Sequence, residues 1–437
     1  MNRTLVIIIL IAILTLTTGP TYTKTYTSNA KIKQVARIEL EWNRTYGGPE
    51  DDTASKILVV EENGQQKIYV LGTLADKKMW ILKLSVNGTV EQNITYNPEI
   101  SYPVPLDIQM GPDGNIYAAS LLGTKLAILK IYPNGTYEEI YYDKIYYGQQ
   151  SIIPIQGDTW AAEDAIYIMT TASNLISNQS SLDILLIKLA YNGSIIWNIT
   201  IGGETEDMGY AIYMFRNNIY ITGVTKTPKS ETTSENYDVL LASVDTDGKL
   251  SYTTTWGTKE DDKAYDLYID QYGYIYITGE SKGKILIMKY HTSGTLQYNK
   301  TLNITGSAYG IMVTGSHVYT TGYIAGGVTY NDLAVLRLDL AGNLVENITW
   351  KGNATDIGNG IYITQNEIYV AGTTQTNTTQ PTDALIIKYK LPTLGPTQAT
   401  GQGQNHITPI ATTFIIFAIL PIVLVTVSYK KHQKQTI

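Results

Sequence analysis

The sequence of 437 residues contains no cysteine, only three phenylalanines and four histidines, and no concentrated basic block. The absence of cysteine excludes disulfides, thiol nucleophiles and cysteine metal sites. Acidic residues outnumber basic ones by 39 to 32, so the cationic face that binds nucleic acid is missing. The histidines form no zinc-binding pair and lie near no nucleophile motif. Common catalytic and nucleic-acid-binding signatures are therefore absent.

The N-terminal segment has the layout of an export signal. Residues 1–30 combine a charged start, an apolar run from Leu5 to Leu16 and small residues after it. This pattern predicts a secretory signal peptide that is cleaved near Thr18 to Thr23 or after Ala30. An uncleaved N-terminal anchor is the alternative, since the apolar core is short.

The C-terminal segment predicts a single membrane span. Residues 407–428 are almost entirely apolar, and the tail 429–437 carries positive charges that favour the cytoplasmic side. Residues 392–406 are rich in proline, glycine, threonine and glutamine, which predicts a flexible stalk. We therefore expect a cell-membrane protein whose body, residues 37–391, is extracellular.

The body contains seven copies of one pattern at a spacing of about fifty residues. The anchor is an Ile/Val-Tyr pair, and a glycine follows three residues after the tyrosine in five copies. The seven tyrosines, which number the repeats below, are Tyr69, Tyr117, Tyr167, Tyr220, Tyr276, Tyr319 and Tyr369. Repeats of this length with short strands are typical of β-propeller blades.

Each repeat predicts four short strands. An apolar strand precedes the anchor strand, and a third strand ends in Lys or Arg in six copies, with Ser243 at that place in the fourth. A tight turn such as Asn87-Gly88 then leads to a fourth strand. The basic position predicts a polar packing contact rather than a substrate clamp.

The seventh repeat lacks a fourth strand, whereas a spare strand, Arg37 to Tyr46, precedes the first repeat. We expect this N-terminal strand to complete the last blade, because ring closure removes exposed sheet edges. The prediction is an all-β, seven-bladed propeller of four-stranded blades, closed by its N-terminal strand and followed by one C-terminal transmembrane helix.

These motifs resemble the β-propeller repeats of bacterial and archaeal surface proteins (SBBP-type repeats). The resemblance rests on Asp113-Gly-Asn-Ile-Tyr117, Tyr220-Ile-Thr-Gly-Val-Thr225, Asp383-Ala-Leu-Ile-Ile-Lys388 and Gly202-Gly203, and it spans residues 37 to 391. The second and third repeats depart most, since Ser120 and Thr170 replace the glycine. The resemblance implies a fold and no common chemistry.

Asn-x-Ser/Thr sequons are frequent in the body, and five recur at one place in the fourth strand. The twelve candidate glycosylation sites are Asn43, Asn87, Asn93, Asn134, Asn178, Asn192, Asn198, Asn299, Asn303, Asn347, Asn353 and Asn377. A glycan on an outermost strand would block pairing between sheet edges. The recurrence predicts N-glycosylation rather than chance composition.

Acidic clusters recur where a fourth strand leads into the next repeat. The candidate binding residues are Glu50, Asp51, Asp52, Glu206, Asp207, Glu260, Asp261 and Asp262. One interpretation is a calcium site, because calcium takes several converging oxygens. The favoured interpretation is that these carboxylates hydrogen-bond loop backbone, since the regular spacing of calcium loops is absent. No metal site or cofactor is predicted.

Polar loops between second and third strands are enlarged in four repeats; a rigid scaffold commonly places binding residues in such loops, and tolerated surface insertion is the equal alternative. They span residues 172–181, 225–236, 323–330 and 373–381. The leading hypothesis is a membrane-anchored surface glycoprotein whose propeller binds an envelope protein or a surface glycan. The alternative is an extracellular polysaccharide hydrolase or lyase that uses carboxylates at the channel mouth, such as Glu50, Asp207 and Asp261.

Overall fold

The computed structural model describes most of the repeat region. The described residues are 37–74, 78–97, 103–123, 125–144, 146–147, 150–151, 154–173, 182–227, 235–326, 330–375, 377 and 379–392. The predicted signal peptide, stalk, membrane span and tail lie outside these residues, as do parts of the four long loops. Within the described part, no helix is long and apolar enough to cross a membrane.

Antiparallel strands account for most of the described chain. The N-terminal strand and the strands of the first two repeats are β1 (Glu39–Tyr46), β2 (Thr53–Glu62), β3 (Gln65–Leu74), β4 (Lys78–Ser85), β5 (Val90–Tyr96), β6 (Pro103–Met110), β7 (Ile116–Leu122), β8 (Lys125–Ile131) and β9 (Tyr137–Lys144). A short hairpin and the next two repeats supply β10 (Tyr146–Tyr147), β11 (Gln150–Ser151), β12 (Pro154–Ala161), β13 (Ile166–Ser173), β14 (Leu182–Leu189), β15 (Ile195–Ile201), β16 (Asp207–Phe215), β17 (Asn218–Thr227), β18 (Asn236–Asp245) and β19 (Leu250–Trp256).

The last three repeats continue the pattern. Their strands are β20 (Asp262–Ile269), β21 (Tyr274–Ser281), β22 (Lys284–His291), β23 (Leu296–Thr314), β24 (His317–Ala325), β25 (Asn331–Asp339), β26 (Leu344–Trp350), β27 (Asp356–Ile363), β28 (Glu367–Gln375) and β29 (Thr382–Lys390). Strands β2–β5, β6–β9, β12–β15 and β16–β19 form four-stranded sheets in chain order, and β1 joins β29, β28 and β27 in another. The predicted all-β repeat architecture is confirmed.

The first strands of the repeats pack against one another. β2 contacts β6, β6 contacts β12, β12 contacts β16, β16 contacts β20, β20 contacts β23, and β23 contacts β27. β27 in turn contacts β2, and the Asn359 amide donates to the Ala54 carbonyl at 2.9 Å between these two strands. Sheets arranged about their first strands are typical of a β-propeller.

One strand differs from the sequence prediction. The fourth strand of repeat 5 and the first strand of repeat 6 are continuous in β23, so β20–β26 form one seven-stranded sheet. Gly306 lies at the junction with φ of 151°, and a Cβ there would lie 2.1 Å from the Tyr323 carbonyl oxygen. The chain therefore bends at a glycine without the longer linker that the other repeats use.

The recurrent glycine has a geometric cause. Each first strand carries a β-bulge near its start, such as the register shift between Ala264 and Asp266 opposite Gly279. A Cβ on Gly279 would lie 1.8 Å from the Lys263 carbonyl oxygen, and Gly72, Gly223, Gly322 and Gly372 meet equivalent carbonyls at 1.9 to 2.1 Å. The bulge brings the two backbones so close that a side chain does not fit.

The recurrent basic residue lies opposite the recurrent tyrosine. Lys83 pairs in register with Tyr69, and its Nζ lies 2.6 Å from Glu62 and 5.4 Å from the tyrosine ring centroid. The Tyr69 hydroxyl donates to the same carboxylate at 2.6 Å. Equivalent register pairs are Tyr117–Lys130, Tyr167–Lys188, Tyr276–Lys289, Tyr319–Arg337 and Tyr369–Lys388. In these six repeats the basic residue makes a polar packing contact beside the tyrosine, as predicted, and Ser243 takes the place opposite Tyr220 in the fourth repeat.

Candidate functional site

Three of the predicted acidic residues hold the loops between repeats. Asp52, Asp207 and Asp262 are buried. Each carboxylate accepts a hydrogen bond from the backbone N–H four residues earlier, in Gly48, Gly203 and Thr258 respectively, at 2.5 to 3.0 Å. An aspartate that closes a loop in this way replaces a missing backbone partner. These contacts are of the kind expected if the carboxylates hydrogen-bond the loop backbone.

The other five acidic residues are more accessible. Glu50 and Glu260 are exposed, and Asp51 accepts hydrogen bonds from the N–H and hydroxyl of Thr382 at 2.8 and 3.1 Å. Glu206 and Asp261 lie beside Tyr237, whose hydroxyl donates to Glu206 at 2.7 Å and whose N–H donates to Asp261 at 3.1 Å. Across the described ranges, no group of three or more His, Cys, Asp or Glu side chains is placed to hold a metal ion.

A chain of tyrosines lies at the end of the sheets where the first strands begin. Tyr210 contacts Tyr265 with ring centroids 5.3 Å apart, Tyr265 contacts Tyr309 at 5.0 Å, and Tyr309 contacts Tyr323 at 6.0 Å. The first three occupy the bulges of β16, β20 and β23. We call these four residues the tyrosine arc. The bulge sets its geometry, because the extra residue of a bulge is free of ladder pairing and turns its side chain out of the regular alternation.

Charged side chains border the tyrosine arc. Glu280 accepts a hydrogen bond from the Ser307 hydroxyl and lies 3.5 Å from the Lys263 ammonium, which is 3.4 Å from Asp261. Burial raises the pKa of Tyr265, and the adjacent Glu280 charge raises it further, so the phenol remains a hydrogen-bond donor at neutral pH. All four tyrosines are half-buried and keep part of each ring accessible. The arc therefore offers aromatic faces, hydroxyls and charges together.

A second polar group lies in the central cavity between the first strands. Lys56 on β2 lies 3.3 Å from Asp158 on β12, and Asp107 on β6 and Asp266 on β20 line the same cavity of about 590 Å³. Asp158 also accepts the Ile212 N–H at 3.0 Å. We call Lys56, Asp107, Asp158 and Asp266 the channel cluster. It places three carboxylates around one ammonium group.

The charges of the channel cluster are strongly coupled. Burial and the Asp158 charge raise the pKa of Asp107 to about 7, although Lys56 opposes this. Burial likewise raises the pKa of Asp266 to about 7. Burial would lower the pKa of Lys56, but Asp158, Asp107 and Asp266 raise it above its ordinary value. The ammonium therefore stays charged, whereas two of the carboxyl groups titrate near neutral pH.

Neither the channel cluster nor the tyrosine arc was predicted from the sequence. Lys56, Asp107 and Asp266 each follow a bulge on a different first strand, and most other repeats carry an uncharged residue at that position. A signal was present, because a charged residue inside an otherwise apolar strand demands a partner. Only the arrangement of the sheets brings these strands together.

No protein-family model matches the chain, and no curated protein matches its sequence. Solved structures do resemble it. The virginiamycin B lyase structure from Staphylococcus aureus aligns with a TM-score of 0.52 at 11% identity, over 80% of this chain and 99% of the lyase chain. BBS1N in complex with ARL6DN aligns with a TM-score of 0.51 at 12% identity, over 82% and 98%. A streptogramin B lyase structure gives 0.51 at 12% identity, over 79% and 97%.

These similar structures are β-propellers, and identities this low carry no information about chemistry. The resemblance to SBBP-type repeats stays a prediction. What the comparisons establish for this chain is its fold, a β-propeller.

Proposed function

We propose that this chain is a membrane-anchored cell-surface glycoprotein whose propeller binds an envelope protein or a surface glycan through the tyrosine arc. The arc carries the proposal, since it gathers half-buried tyrosines from three adjacent repeats. Tyrosine supplies a large rigid contact area together with a hydroxyl, and it is enriched where proteins recognise partners. The similar BBS1N propeller was solved in complex with ARL6DN, which supports partner binding as a role for this fold.

The proposed architecture is a ring of seven blades of the SBBP type, closed by β1. Its support is the antiparallel pairing of β1 with β29, from Glu39 opposite Lys390 to Tyr46 opposite Ala384, and the contact of β27 with β2. A closed ring fixes the relative positions of the bulges on neighbouring first strands. The tyrosine arc would then be held as a rigid surface.

Glycosylation and membrane attachment belong to the same proposal. The exposure of Asn43, Asn93, Asn299 and Asn347 supports the first, since these side chains lie on the outermost strands β1, β5, β23 and β26. Asn198 is half-buried on β15. Glycans on these strands would occupy the rim and leave the tyrosine arc free. The apolar residues 407–428 support a membrane span.

The test is binding of the full-length, detergent-solubilised chain to envelope fractions, with partners identified by mass spectrometry. Replacing Tyr265 and Tyr309 by serine should reduce binding at least tenfold, because two adjacent aromatic contacts are removed. Tyr272→Ser is the matched control, since Tyr272 is 71% exposed in a turn outside the arc. Equal binding by both variants would contradict the proposal. Protease or periodate treatment of the envelope then separates protein from glycan partners.

The second candidate is a hydrolase or lyase that acts on polysaccharide. It is favoured by carboxylates that border the aromatic rings, namely Glu206, Asp261 and Glu280. Sugar-cleaving sites combine a pair of carboxylates with a binding surface. Release of reducing or unsaturated ends from envelope polysaccharide, abolished by Glu206→Gln or Asp261→Asn, would support this candidate.

A further inference from the structure

The central cavity has the size of a small-molecule site. Its volume of about 590 Å³ falls within the range of pockets that enclose metabolite-sized ligands, roughly 300–1,000 Å³. The cavity lining shares only Tyr309 with the tyrosine arc. Its chemistry therefore requires its own explanation.

Negative charge in the cavity exceeds positive charge. Lys56 forms its ion pair with Asp158. Asp107 accepts the Gln109 amide at 2.6 Å, and Asp266 accepts the N–H groups of two residues at 2.8 Å, but neither has an ion-pair partner within the described part of the chain. The cavity thus retains two carboxyl groups that a further cation would stabilise.

Aromatic rings form another part of the wall. Trp160 contacts Tyr213 with centroids 4.4 Å apart, Tyr213 contacts Tyr268 at 5.3 Å, and Tyr362 lines the same cavity. Aromatic faces attract cations, most strongly in sites shielded from water. Carboxylates and aromatic rings around one space are the combination that recognises an organic ammonium group.

A metal ion fits the cavity less well. Across the described residues, no three acidic or histidine side chains converge at metal-binding distance. The cavity volume is also far larger than a metal ion needs, and apolar walls such as Ile311 and Met312 offer no ligand to a hard cation. A ligand with a carbon skeleton would contact both the carboxyl groups and the apolar walls.

We propose that the central cavity binds a small organic ammonium ion, of the size of an alkyl diamine, between the carboxylates of Asp107 and Asp266 and the rings of Tyr213, Tyr268 and Tyr362. One amino group would lie near each unpaired carboxylate, and the carbon chain would lie along the aromatic wall. This site goes beyond the proposed function, and it stands whether or not the tyrosine arc binds a partner.

The experiment is isothermal titration calorimetry of the full-length chain at pH 7.5 with 1,4-diaminobutane as the probe. We expect saturable binding at one site, and no heat of binding with 1,4-butanediol, which has the same length without charge. Asp107→Asn and Asp266→Asn should each weaken binding about tenfold or more, because each removes one ion pair. Asp247→Asn, in an exposed turn, is the control and should bind as the wild type does.

Absence of diamine binding to the wild-type chain would overturn the proposal, as would equal affinity for the butanediol. Saturable calcium binding that excludes the diamine would replace it with a metal site. If Asp266→Asn unfolds because it loses a backbone contact, Tyr362→Leu provides a second variant. Tyr362→Leu should keep the fold and weaken diamine binding several-fold through loss of an aromatic face.

Discussion

Two groups of buried charged residues in this propeller differ in their ratio of positive to negative groups. Within the sheets, Lys83 and Glu62 form a largely buried ion pair at 2.6 Å, with side chains 5% and 14% exposed. In the central cavity, one ammonium group on Lys56 faces the carboxyl groups of Asp107, Asp158 and Asp266. The first arrangement pairs one positive with one negative charge, and the ammonium also donates to the Pro133 carbonyl of the next repeat, whereas the second arrangement leaves negative charge in excess. Excess buried charge costs stability, and such costs are concentrated at functional sites.

The largest loss of stability should follow from breaking the ion pair between Lys83 and Glu62. Lys83→Met leaves the Glu62 carboxylate without its cation, and we expect a loss of about 4 kcal/mol in the free energy of unfolding. Urea denaturation measures it. Lys130→Met is the comparison, since its partner Asp113 is 35% exposed and water replaces the lysine, so about 1 kcal/mol should be lost. Equal losses of stability in the two variants would show that burial of an ion pair does not set its contribution to the free energy of unfolding.

A smaller loss should follow from filling the space beside a bulge. Gly279→Ala places a Cβ 1.8 Å from the Lys263 carbonyl, at the strand that carries both Tyr265 and Asp266. The backbones must separate, and we expect a loss of about 3 kcal/mol. Gly283→Ala is the control, because nothing lies within 4 Å of its Cβ and only its φ of 68° opposes alanine, at about 1 kcal/mol. Thermal unfolding compares them, and a tolerated Gly279→Ala would exclude the bulge as the reason for the motif.

These recurrent features were predictable from the sequence, whereas the site was not. Contacts inside one repeat involve Tyr69, Lys83 and Gly72. Because every repeat needs these contacts, the residue types recur in most copies and reveal the strand order. The channel cluster instead joins different repeats: the residue after the bulge is Lys56 in one repeat and Asp107 or Asp266 in two others, so no regular pattern marks it. Lys56 and Asp158 are 102 residues apart in the sequence and meet because the sheets pack against one another through their first strands.

The stability that the channel cluster contributes should depend on pH. Lys56→Met removes the only cation of the cluster, so the negative charge of its carboxyl groups above pH 7 would no longer be compensated. We expect a loss of about 2 kcal/mol at pH 8 and less than about 1 kcal/mol at pH 5, where Asp107 and Asp266 are protonated. Denaturation at the two pH values measures this difference, and a loss independent of pH would contradict the charge assignment.

The smallest effect on stability is expected at the rim. Asn43 is exposed on β1, so Asn43→Gln should remove one glycan from the native protein and change the free energy of unfolding by less than about 0.5 kcal/mol. Intact-mass analysis of protein from the native host detects the missing glycan. Thr45→Ala, which also destroys the sequon, should give the same mass loss. An unchanged mass would remove Asn43 from the proposed sites.

The central claim is that the cavity carries charge at the expense of stability. Burial raises the folded-state pKa of Asp107 to about 7, above the value of about 3.9 for an unfolded aspartate. The folded state therefore binds more protons between these values, and wild-type stability should fall as pH rises from about 4 to above 7. Asp107→Asn removes the contribution of Asp107 to this dependence while keeping the shape of the side chain, and Asp266 keeps its own contribution.

The most direct measurement is the free energy of unfolding of the wild type and Asp107→Asn at pH 5 and pH 8. The account predicts near-equal stability at pH 5 and a variant that is more stable by about 1 to 2 kcal/mol at pH 8. A variant that is less stable than the wild type at pH 8 would show that the Asp107 carboxylate stabilises the fold, and it would contradict the account.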